Sequence, residues 1–185
     1  CFTNRYKSQP TKTVEGDIEQ VIRLKRRDPS KLGEFPVQIG EDFFTENSFR
    51  IDSVATRTFI LMLANHRPKS FVSGNFVTLS AVLKEYNRNE FHHLFPKSFL
   101  RRMYKGTLKE NCLANFAFMS RADNNQIGGA APSEYRRHMP SDAASIESIL
   151  ASAICPNSLF SDDYDAFIKE RTGLLATEAR RLLDI

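Results

Sequence analysis

The chain has 185 residues, 41% of them apolar and 26% charged, which is enough for a packed core and excludes a disordered tail. Its formal net charge is +4 and its pI is near 9.0, a mild excess that suits a polyanionic partner without requiring one. No apolar run approaches the roughly 18 residues of a membrane span, and no signal peptide is visible. The three cysteines, Cys1, Cys112 and Cys155, are too scattered for a disulfide framework or a zinc knuckle. They read as buried or incidental thiols in a reducing cytoplasm. Fifteen Phe and no Trp mean that Phe rings must fill much of the core. The polar start at Cys1, without Met, reads as a cut from a longer protein.

Residues 1–13 read as a linker or frayed start, and 14–185 as one helical domain. Val14–Arg27 predicts a helix with Val14, Ile18, Val21, Ile22 and Lys25 on one side. Its basic end, Arg23-Leu24-Lys25-Arg26-Arg27, suits the negative pole of the helix dipole and, as the lesser reading, a phosphate patch. Asp28-Pro29-Ser30 stops it. Glu41–Phe49 predicts a short amphipathic helix with Phe43, Phe44 and Phe49 inward. Ser53 is placed to cap Val54–Asn65, whose nearly continuous apolar face makes it the expected most buried helix. Pro68 ends it, Gly74 marks a turn, and Leu79–Tyr86 is helical again.

The centre, about 88–130, changes character. Glu90–Phe95 predicts a short strand ended by Pro96. Lys97–Tyr104 is a short basic helix or turn, broken by Gly106. Ala114–Met119 is a second strand, and Ser120 caps a helix to about Ile127, stopped by Gly128-Gly129. Pro132-Ser133-Glu134 opens another helix, with Ser133 as cap. Ser145–Ala153 is helical, and Asp162–Asp184 is a long closing helix capped by the Asp162-Asp163 pair. The expected class is α+β: a predominantly helical domain with an embedded strand-strand-helix module.

That module carries the chemistry. Glu90-Phe91-His92-His93-Leu94-Phe95-Pro96-Lys97 is followed by Leu113-Ala114-Asn115-Phe116-Ala117-Phe118-Met119-Ser120-Arg121-Ala122-Asp123-Asn124-Asn125. A neutral imidazole takes a proton from water near pH 7, and a hard cation neutralises a leaving oxygen. Adjacent strand residues point to opposite faces, so His92 and His93 share a side only if the strand bends, which Pro96 and its turn allow. One His then serves as base and the other as ligand. The plainer reading is one surface and one core histidine, with the Asn residues as helix caps. His66 and His138 carry only structural readings.

These strings resemble the HNH (His-Me finger) nucleases, and more closely the C-terminal nuclease half of GmrSD-type restriction proteins and SspE-like phosphorothioate-sensing nickases. Ala131-Pro132-Ser133-Glu134-Tyr135 and Asp163-Tyr164-Asp165-Ala166-Phe167-Ile168 through Arg171 extend the resemblance, which covers about 50–185. It implies a ββα-metal finger, His93 as general base, Asn115 pinning the loop that holds the base, and His92 and Asn124 binding one Mg²⁺ or Mn²⁺. Asn125 stands where many members carry Arg or Lys. Lys97, Arg101, Arg102, Lys105 and Arg121 are the expected DNA-backbone contacts. The resemblance further implies hydrolysis of DNA to 5′-phosphate and 3′-hydroxyl ends, in bacterial restriction or anti-phage defence, with an N-terminal nucleotide-binding sensor domain as partner. The alternatives are a catalytically decayed DNA-binding module and a regulatory docking domain.

Overall fold

The computed structural model describes residues 9–34, 37, 39–80 and 91–183. The chain divides into two units, Cys1–Gln38 and Ile39–Ile185. In the first, helix α1 spans Pro10–Lys25. It begins ahead of the expected Val14 because Pro10 occupies the first turn, where a fixed φ and a missing N–H fit a helix start. Arg23 and Lys25 fall in its last turn, where a positive charge meets the helix dipole favourably. Ser30 Oγ donates to Gln20 O at 2.9 Å and folds the following turn back onto the helix.

The second unit is mostly helical with one small sheet. Helix α2 is Asp42–Glu46, shorter than expected, with Phe44 buried. Phe49 lies beyond it, where Phe49 N donates to Asn111 O at 2.8 Å. Helix α3 is Val54–Asn65, and Thr56 N donates to Ser53 Oγ at 3.1 Å, the expected cap. Leu79 and Ser80 are helical; the rest of the Leu79–Tyr86 expectation, and Glu90 of the first strand, lie outside the described residues. Strand β1 is Phe91–His93 and strand β2 is Phe116–Phe118. They pair antiparallel with His92 opposite Ala117 and His93 opposite Phe116. Between them runs helix α4, Lys97–Met103, and a 3₁₀ turn, Leu113–Asn115. That turn takes up the first part of the expected second strand.

Helix α5, Arg121–Ile127, follows β2 directly. Ser120 Oγ accepts from Asp123 N at 3.0 Å, and Gly128 closes the helix at φ 61, a region open to Gly without the Cβ penalty. Helix α6 is Pro132–Tyr135 with Ala131, not Ser133, at the cap position. The Glu134 carboxylate reaches back to accept from Ala131 N at 3.1 Å, and the Ser133 amide is taken by Asp162 Oδ1 at 2.9 Å. Helix α7, Ala143–Ser152, is capped by Asp142. Helix α8, Tyr164–Leu183, has its first-turn amide at Ala166 bound to Asp163 Oδ1 at 3.0 Å. Of the Asp162-Asp163 pair, Asp163 therefore caps the last helix and Asp162 ties it to α6.

Phe rings do fill the core, as composition required. Phe95 meets Phe99, Tyr164 and Phe167 at centroid distances of 6.0, 5.2 and 5.0 Å. Each fully buried ring contributes about 1.5–3 kcal/mol. The two described cysteines, Cys112 and Cys155, are free and buried, and burial pushes the Cys155 thiol up to about 12, so it stays protonated and inert. Among the described residues no helix is long and apolar enough to cross a membrane.

Candidate functional site

His92 and His93 sit on a strand of only three residues. Adjacent strand residues point to opposite faces; His93, opposite Phe116, turns its ring to the Phe116 side, and both histidines border one cleft of about 350 Å³. Phe49, Phe91 and Phe116 make its apolar wall, and Lys97 and Asn111 complete it. Phe49 stacks on Phe116 at 4.1 Å with ring planes 15° apart, and His93 leans on the same Phe116 at 4.2 Å.

Asn111 was not legible as a site residue. Its Oδ1 lies 3.0 Å from His93 Nε2. An amide oxygen only accepts, so this bond requires the hydrogen on Nε2 and leaves the lone pair on Nδ1. Burial is the main cause that lowers His93 to about 4 from 6.5; the Asn111 bond opposes it, while nearby Lys97 adds to it. The ring is therefore neutral at pH 7, the form a proton acceptor needs.

The sign of the linkage is opposite to that of a salt-bridged histidine. Above pH 6.5 neither folded nor unfolded His93 binds a proton, so the full stability is present. Between about 6.5 and about 4 the unfolded chain takes up a proton that the folded one refuses, and stability falls as pH falls. The loss amounts to about 3 kcal/mol by pH 4. Urea denaturation of wild type and His93→Gln at pH 7.5 and pH 4 checks it: the wild type should lose more than the variant by about that amount, and equal losses would contradict the assignment.

Asn115 is fully buried and uses both ends of its amide. Oδ1 accepts from Phe95 N at 2.9 Å, and Nδ2 donates to Phe95 O at 3.1 Å and to Glu110 O at 2.9 Å. Its backbone carbonyl accepts from Leu94 N at 2.8 Å. One side chain thus clamps the segment after His93 to the segment before Asn111. Tyr135 Oη adds a bond to Leu94 O at 2.9 Å, and Tyr164 Oη donates to Lys109 O at 2.9 Å.

Arg171 braces the same region from behind. It is fully buried and donates to Ala114 O at 2.6 Å, Ala153 O at 3.0 Å and Ile154 O at 3.2 Å. Ala153 is the C-cap of α7, so the guanidinium meets the negative end of a helix dipole. Ala114 precedes Asn115 directly. The outlying motif residues Tyr135, Tyr164 and Arg171 thus all end on the two segments that carry the histidines and Asn115.

The other expected residues divide. Lys97 is half-buried at the cleft and lies 3.5 Å from Glu110 Oε1, and Arg101 lies 3.3 Å from the same oxygen. Arg102, Lys105, Arg121 and Asn125 are exposed, and for the cations among them no ion pair occurs among the described residues. Asn124 is half-buried on α5 and does not line the cleft; its neighbour Asp123 turns away, accepting from Ser70 Oγ at 2.7 Å. Among the described residues no group of three or more His, Cys, Asp and Glu gathers to hold a metal ion.

Comparison with known family models, curated proteins and solved structures gives no match for this chain.

Proposed function

We propose that this chain is a metal-dependent DNA endonuclease domain of the HNH type, with β1, β2 and α5 as its ββα finger. One observation carries the reading. Two adjacent histidines border one cleft at the start of an antiparallel pair that runs straight into a helix, and a buried Asn115 clamps the loop behind them. The cleft has an apolar wall and a cation at Lys97, which suits one backbone phosphate.

His93 takes the proton of the attacking water at Nδ1, because Asn111 occupies Nε2. Its low basicity is the price of burial; an anionic phosphate entering the cleft raises it toward the working range. Asn115 keeps the segment after His93 from shifting when charge develops. Were an ion bound, His92 would hold it through an imidazole nitrogen and Asn124, which stands outside the cleft, through its amide oxygen. Such an ion, Mg²⁺ or Mn²⁺, would supply charge to the departing 3′ oxygen. Lys97, Arg101, Arg102, Lys105 and Arg121 would neutralise flanking phosphates and make affinity fall with salt.

By the same resemblance we place the domain in bacterial restriction or anti-phage defence, in the cytoplasm, joined to an N-terminal nucleotide-binding sensor domain. One observation favours a second reading, a decayed nuclease that only binds DNA: Asn124 stands outside the cleft. Metal removal separates them. Incubated with Mg²⁺ or Mn²⁺, the chain should convert supercoiled plasmid to open-circular or linear product, and excess EDTA should abolish conversion while leaving filter retention of DNA at low salt. Retention without conversion under either metal would favour the decayed module, and no retention at low salt would sink both in favour of a docking domain.

A further inference from the structure

A second cavity, of about 320 Å³, lies between the end of α3, the turn after it, and α7. It is lined by His66, Arg67, Lys69, Phe76, Ser148, Ala151 and Ser152, none of which belongs to the His92/His93 cleft. The turn is locally built. Lys69 and Phe76 form an antiparallel bridge, Ser70 N donates to Asn75 O at 2.8 Å, and Gly74 takes φ 71. Lys69 is fixed to α7 twice, by its N–H to Ser152 Oγ at 3.1 Å and by Nζ to Ser148 Oγ at 2.7 Å.

The side chains of Phe76, Arg67 and Lys69 leave an exposed aromatic and cationic face. Phe76 is 56% exposed, although a ring this large stabilises the chain only when buried. Arg67 Cζ lies 4.5 Å and Lys69 Nζ 5.1 Å from its ring centroid. Neither cation has a carboxylate partner among the described residues. A carboxylate beside His66, Glu178, is already held by Arg181 at 2.7 Å and lies 2.8 Å from His66 Nε2. Arg67 also stands at the position after the α3 cap with φ 51, where Gly or Asn would fit more easily.

We propose that this cavity binds a phosphorylated nucleoside, with its base stacked at Phe76 and Arg67 and its phosphate held by Arg67 and Lys69. A planar base suits an exposed ring flanked by a guanidinium. Paired cations with nearby hydroxyls suit a phosphate, with Arg offering a fork and Lys a point charge. The site is shallow and open to solvent, so a ligand there would keep one side exposed. The nucleotide comes either free or as one unit of a single strand. The inference does not rest on the nuclease reading.

The test is calorimetric titration of the whole chain in EDTA, where no cleavage occurs, with 5′-AMP, adenosine, inorganic phosphate and pentathymidylate. AMP or pentathymidylate should bind at least about tenfold more tightly than adenosine or phosphate alone. Tighter AMP binding identifies a free nucleotide as the ligand; tighter pentathymidylate binding that Phe76→Ala weakens identifies a strand at this site. Phe76→Ala and Lys69→Gln should each weaken the better ligand about tenfold. Arg67→Gly should weaken it too while leaving Tm unchanged or raised by about 2–4 °C, a combination that misfolding cannot produce. Failure of both nucleotides to saturate at several millimolar, or wild-type affinity in Phe76→Ala and Arg67→Gly, overturns the proposal. Because no metal is present and no bond is cut, that failure would leave the nuclease reading where it stands.

Discussion

His93→Ala should lower the rate of plasmid cleavage in Mn²⁺ by about 10²–10⁴-fold, the usual worth of a positioned general base, while DNA affinity stays within about twofold. The reason is local. The ring touches Phe116 and Asn111, and neither is a cation that holds DNA. Loss of the ring leaves the Asn111 amide oxygen facing a cleft that water reaches, so the fold should survive, and circular dichroism should show an unchanged helical signal. His93→Gln gives a sharper comparison, since its amide NH₂ can still donate to Asn111 but has no basic nitrogen. Equal losses in Ala and Gln point to proton transfer. A variant that cuts at the wild-type rate removes His93 from the chemistry.

Arg171→Ala should cost about 4 kcal/mol or more of folding stability, a large part of what a domain of this size possesses. Three carbonyls lose their donor at once, and a buried acceptor left without a partner costs about 1–3 kcal/mol. Burial disfavours the charged guanidinium and lowers its affinity for its proton, so part of the loss is returned when the charge is removed. The void left behind in a packed core acts in the other direction. Arg171→Met tests the balance: it restores volume but no donor, so it should recover only a minor share. Urea denaturation reads both. A loss under about 1 kcal/mol for Arg171→Ala would mean that the three carbonyls find other partners. Cleavage should fall with stability here, since Ala114 O is one residue from the Asn115 clamp.

What could be read beforehand was what is written locally. Ser53 and Ser120 precede their helices, Gly128 follows one, and the structure uses all three as caps or stops. The paired strands and the helix after them follow from short apolar runs bounded by Pro96 and Ser120. Asn115 was marked only by the resemblance, and the structure shows it fully buried with both ends of its amide bonded. Residues that act through long-range contacts were not visible. Asn111 reaches His93 only because the stretch around Ser48 pairs with that around Cys112, and nothing in either string announces the pairing. The same pairing carries Phe49 onto Phe116. Ser133 looked like a cap because it follows Pro132, yet Glu134 and Asp162 together satisfied the amides at that helix start. Helical spacing puts Asn124 on α5, but it does not decide which way α5 turns toward β1.

In the proposed site His92 and His93 border one cleft together with a phosphate and a cation. A crystal structure of His93→Ala with duplex DNA and Mn²⁺ measures it directly, because the variant holds uncut substrate and manganese scatters anomalously. Manganese should give an anomalous peak within bonding distance of His92 and Asn124, touching a backbone phosphate seated beside Lys97. Manganese bound elsewhere, or DNA lying away from the Phe49–Phe116 wall, would contradict it.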